Sequence, residues 1–123
     1  MFILKYVCLI YIPTDVAATP DELQIAANAY QQLNERLSTQ IDNRARFYES
    51  NTATTLRIRD GKRILSDGPF AKEVPLAGFY VFNCASRDEA LEYAAQIPSA
   101  HFGAIEVRQL VEDWSPERER KKF

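Results

Sequence analysis

Phe2-Ile3-Leu4-Lys5-Tyr6-Val7-Cys8-Leu9-Ile10-Tyr11-Ile12 opens the chain with eleven residues of which ten are apolar or aromatic. β-Branched and aromatic side chains at this density read as a strand, and Pro13 ends it. A strand of a sheet with one wet face would alternate. This one does not, so both of its faces are expected to be covered, and it belongs near the middle of a sheet. The run is broken by Lys5 and is far shorter than the roughly 20 apolar residues of a membrane span. It also lacks the leading positive charge of a secretory signal. Cytoplasm is the expected compartment, and no membrane partner is expected.

The rest of the chain supplies the partners of this strand. Thr19-Pro20-Asp21-Glu22 has the form of a capping box with Pro at the first helical position. Leu23, Ala26, Ala27, Tyr30, Leu33, Leu37 and Ile41 follow at spacings of three and four, which predicts an amphipathic helix from about residue 20 to about residue 39. Residues 42–52 are polar and carry no clear period; Phe47-Tyr48 is their one anchor to a core. From about residue 52, Thr54, Leu56 and Ile58 alternate with Thr55, Arg57 and Arg59, the pattern of a half-exposed strand. Asp60-Gly61 then precedes Lys62-Arg63-Ile64-Leu65, a strong hairpin signal. Gly78 to Cys84 reads as a second apolar strand. Ser86-Arg87-Asp88-Glu89 reads as a second capping box, and Ala90, Leu91, Ala94, Ala95 and Ile97 as a buried helix face before Pro98. Gly103 to Leu110 alternates as a last strand.

The 123 residues make one domain, assigned to residues 1–113, with a charged tail at 114–123 that is expected to be mobile. The class is α+β. Two helices this short cover one face of an antiparallel sheet, and the apolar second face of the first strand then calls for another copy of the chain, a homodimer. Fifteen basic against seventeen acidic residues give a net charge of −2, which excludes the basic footprint of a nucleic-acid binder. Cys8 and Cys84 lie in apolar runs and read as buried free thiols.

Three stretches together resemble one family. Lys5 to Tyr11 matches its opening strand, and Thr54 to Arg57 with Asp67-Gly68-Pro69-Phe70-Ala71 matches its hairpin and signature. Gly78-Phe79-Tyr80, Asp88-Glu89-Ala90-Leu91, Ile97-Pro98 and Val107-Arg108 continue the match. The chain is similar over nearly all of residues 2–111 to the YCII-related proteins of the DGPF type. The resemblance implies a ferredoxin-like antiparallel sheet with two helices on one face, pairing as a dimeric α+β barrel. It also implies a bacterial protein of largely unassigned activity, with some relatives linked to sigma-factor-like regulators and a few acting on small aromatic breakdown products. The sequence departs from the family at Lys72, where an acidic residue is usual, and at Pro75. It has no His in the first helix, so the base proposed for the shorter sister branch does not carry over.

Asp67 is the residue singled out for chemistry. A carboxyl at a strand end before apolar Phe70 is placed to act as acid or base if apolar walls raise its pKa. Asp-Gly-Pro also builds a turn unaided, with Asp bonding nearby backbone, and that structural role has the edge. Tyr6, Phe70, Glu73 and Arg108 are the candidate substrate-binding residues, with Arg108 as the holder of a substrate carboxylate. Glu106 stands two residues before Arg108 on the same strand face and forms either a ligand contact or an ion pair with it. His101, the one histidine, has no ligand-spaced companion, so no metal site is expected. There is no phosphate-binding or dinucleotide motif, and no cofactor is expected. Two functions remain: a small organic acid held in a dimeric barrel, with cofactor-free lyase- or isomerase-like acid–base chemistry, or a non-catalytic ligand sensor or adaptor.

Overall fold

A computed structural model describes residues 3–13 and 18–111. The opening strand β1 spans Leu4–Tyr11, followed by helix α1 at Pro20–Arg36 and strand β2 at Ile41–Arg46. Strands β3 (Thr54–Arg59) and β4 (Lys62–Asp67) come next, then β5 (Leu76–Cys84), helix α2 (Arg87–Ala95) and β6 (Ala104–Gln109). The main sheet has the order β2-β5-β1-β6, antiparallel throughout. With a helix following β1 and another following β5, this is the ferredoxin-like arrangement. The charged tail at 114–123 lies outside the described residues.

The caps act as their residues predict. Thr19 Oγ1 accepts from the Glu22 amide at 3.2 Å, and Glu22 Oε1 accepts from the Thr19 amide at 3.3 Å. At the second helix Ser86 Oγ accepts from the Glu89 amide, but Glu89 Oε1 reaches one residue further back, to the Ala85 amide. The core lies between the sheet and the two helices. Tyr6, Cys8 and Ile10 of β1 and Tyr80, Phe82 and Cys84 of β5 point into it, against Leu33, Leu37, Ala90, Ala94 and Ile97. Tyr30, Tyr80, Phe82 and Tyr93 follow one another as neighbouring rings through this layer, with centroids 5.3 to 6.5 Å apart.

Two expectations are corrected. The first helix ends at Arg36, not near 39, and the residues after Gln40, which showed no period, form an edge strand of the main sheet. Ile41-Asp42-Asn43-Arg44-Ala45-Arg46 has one large apolar residue, so its strand character comes from pairing with β5, which is interrupted by a register irregularity between Ile41 and Asn43. The 54–67 hairpin, expected among the partners of the opening strand, accordingly does not join the main sheet. It is an insertion forming its own two-stranded sheet, and five of the six residues of β3 and all six of β4 are exposed. Asp60 and Gly61 take φ values of 52° and 75°, as a two-residue I′ turn requires.

Among the described residues no helix covers the opposite face of the main sheet. Val7, Leu9 and Tyr11 of β1 lie on it half-buried, with Phe79 and Val81 of β5 beside them. Lys5 Nζ reaches Asp42 Oδ2 at 3.2 Å at one end of this face.

Candidate site beside the hairpin base

The Asp67-Gly68-Pro69-Phe70 segment leaves the hairpin through a backbone device. Gly68 has φ 96°, its amide donates to the Ala53 carbonyl at 2.7 Å, and Thr55 Oγ1 donates to the Gly68 carbonyl at 2.9 Å. These bonds close the base of the hairpin and send Pro69 and Phe70 toward the chain that follows β2. Between them opens a cleft of about 600 Å³. Tyr11, Phe47, Phe70, Val74 and Leu76 make its walls largely apolar, and Arg46 and Glu49 supply its charged groups. Phe47 also packs on Phe79, with ring centroids 6.1 Å apart, so the cleft is continuous with the open face of the sheet. The Arg57 guanidinium lies over the Phe70 ring at 5.6 Å, which steadies an otherwise exposed aromatic.

Of the residues expected at a site, Phe70 alone lines this cleft. Asp67 is exposed at the end of β4, opposite Thr54, and among the described residues its carboxylate takes no hydrogen bond. The turn forms without its side chain, because Thr55 and the backbone do the bonding. Tyr6 is buried beneath the helices, where its hydroxyl makes a long 3.5 Å contact with Gln109 Oε1. Arg108 lies on the opposite face of the sheet, pairing across to Val7, with Nη1 3.9 Å from Glu106 Oε2 and both side chains mostly exposed. Glu73 is exposed in the loop before β5. The sheet itself thus separates Tyr6 from Arg108.

Arg46, Glu49 and Tyr11 are the residues that sequence reasoning missed. Arg46 and Glu49 sat in the stretch without a period. Tyr6 and Tyr11 lie on opposite faces of β1, and a strand apolar on both faces does not reveal in its sequence which parity meets the helices.

The buried titratable groups are held in their neutral forms. Burial pushes the Cys8 thiol up to about 12, reinforced by Cys84, and pushes the Cys84 thiol up to about 11, reinforced by Glu89. Neither is a nucleophile near neutral pH. Burial also raises the Tyr80 phenol, against the pull of the Arg44 guanidinium, and its hydroxyl donates to Asn34 Oδ1 at 2.6 Å. Among the described residues no three His, Cys, Asp or Glu side chains gather to hold a metal, and no helix is long and apolar enough to cross a membrane.

The family model of the YCII-related domain matches residues 4–115. The chain belongs to the YCII-related family. An uncharacterized protein of Rhizobium meliloti (strain 1021) is 45% identical over 69 residues, which cover 54% of this chain and 56% of that relative. The match thus spans little more than half of either chain, and the relative brings no activity.

Proposed function

We propose that this YCII-related protein, of the DGPF branch by its Asp67-Gly68-Pro69-Phe70 signature, binds a small organic acid in the cleft beside that signature. The cleft carries the reading: apolar and aromatic walls suit a compact carbon skeleton, and Arg46 at its rim suits a carboxylate. The open, largely apolar sheet face into which the cleft runs supports pairing with a second copy, whose sheet would close the barrel over the ligand. Cofactor-free acid–base chemistry by Asp67 requires the carboxylate to meet the ligand across that pairing, because within one chain it stands outside the cleft. That same position favours a sensor or adaptor as the second reading, in which the acid is bound and not turned over.

Calorimetric titration with a panel of short aryl and alkyl carboxylates tests the proposal. Saturable binding by a member of the panel is expected. Arg46→Gln should weaken it about tenfold or more, since a charge-assisted hydrogen bond contributes about 1.5–3 kcal/mol. Binding that survives both Arg46→Gln and Phe70→Ala unchanged would place the ligand elsewhere.

A further inference from the structure

We infer that the β3–β4 hairpin is a docking arm for a second copy of this chain, and that its contact face carries Asp67. The inference rests on the pairing proposed above and says which additional element takes part in it. Cross-strand register puts Thr54, Leu56 and Ile58 on one face with Asp67, Leu65 and Arg63. On that face Leu56 is 50% exposed, Ile58 61% and Leu65 61%. The two strands make their substantial contacts with each other and with no helix or strand of the body. A lone two-stranded hairpin is marginal in water, and three large aliphatic side chains on one of its faces make a surface whose burial is favourable.

The occupant is a second copy. Arg57, Arg59 and Lys62 lie on the other face of the hairpin, and the contact face carries only Arg63 and Asp67, so it is neutral and its burial leaves no net charge uncompensated. A stable interface also needs roughly 800 Å² from each partner, more than three side chains supply. The open sheet face is the second unpartnered apolar surface of the chain, and a twofold contact covers both surfaces on both copies at once. Asp67, at the base of the arm face, then leaves bulk water on assembly and stands at the contact between copies.

The full chain and its Leu56→Glu/Leu65→Glu variant are compared by sedimentation equilibrium, with circular dichroism as the check on folding. The expected result is a dimer of the 14.1 kDa chain for the parent. In the variant, with unchanged dichroism, the dissociation midpoint should rise at least tenfold. A dimer that the variant leaves untouched overturns the arm and leaves the pairing of sheet faces standing. A parent that stays monomeric to high micromolar concentration overturns both, as a foreign partner on the arm would require. If the double variant does not fold, Ile58→Cys labelled with an environment-sensitive dye replaces it; Cys8 and Cys84 are buried and do not compete for the label. Emission that shifts to the blue on concentration, in step with dimer formation, supports the arm. Emission that stays water-like overturns it, and emission already blue in the monomer puts a segment of the same chain on the face and overturns it too.

Discussion

Cys8 packs fully buried in the centre of the sheet, and its chemistry follows from that position. Folding raises the thiol from 9.0 to about 12, so the native state holds its proton after the unfolded chain has lost it. The stabilisation is complete below pH 9 and is lost as pH rises from there toward 12. Chemical denaturation at stepped alkaline pH should show the midpoint falling in that window, and Cys8→Ala should flatten the fall at the cost of a less stable protein near neutrality. A native protein that reacts fully with a thiol reagent at pH 8 would contradict the burial. Gly78 is as constrained, for another reason. A Cβ there would meet the Ala45 carbonyl oxygen at 2.5 Å, and that oxygen belongs to the adjoining strand. Gly78→Ala should therefore destabilise by about 2 kcal/mol or more, read from urea midpoints, because the backbone of β2 has to shift. Asp67 shows the opposite case. With the turn held by Thr55 and the Gly68 amide, both Asp67→Asn and Asp67→Ala should leave the thermal midpoint of the isolated chain within about 0.5 kcal/mol of the parent value. The expectation that Asp bonds its own turn fails because the Gly68 amide donates to the Ala53 carbonyl and Pro69 has no N–H to offer the carboxylate.

The elements differ in what holds them. Helix α1 carries a reciprocal cap, and Thr19→Ala should cost about 1 kcal/mol in a urea titration. The β3–β4 hairpin depends on its turn instead. Nothing lies within 4 Å of a Cβ built on Gly61, so Gly61→Val meets no clash, only the resistance of a β-branched residue to φ 75°. The loss of about 1 kcal/mol should stay local. Hydrogen exchange should quicken across residues 54–67 and remain unchanged in β1 and β5, and a matching loss in β1 would show that the arm is part of the body's cooperative unit. Strand β2 is an edge held by its pairing to β5, and its polar residues are those an exposed edge tolerates.

For the whole molecule, the sheet face opposite the helices decides how function is organised. It offers half-buried Val7, Leu9 and Phe79 with no helix over them among the described residues, and it leads into the cleft through Phe47 and Tyr11. Under the proposed function ligand and second copy would be coupled, because each would cover surface that the other borders. Saturating carboxylate should lower the dissociation midpoint of the dimer in sedimentation, and by linkage dilution should weaken the ligand's apparent affinity by the same factor. A ligand that binds without moving the midpoint would confine the cleft to one chain.

The amino-acid sequence by itself determined the local features: both helix starts, the central apolar strands, the I′ turn at Asp60-Gly61 and the one-sided helix layer. Each depends on residues a few positions apart, through capping bonds, side-chain period or the φ that glycine allows. Only the tertiary structure decided that residues 41–46 are a strand, since an edge strand takes its conformation from a neighbour 32 to 41 residues away. It also decided that the hairpin stands apart from the sheet, and that Tyr11 rather than Tyr6 meets the cleft. A strand apolar on both sides has no pattern to say which side the helices take; that choice is made by packing, when Leu33, Ile97 and their neighbours settle on Tyr6, Cys8 and Ile10 and leave the other parity open.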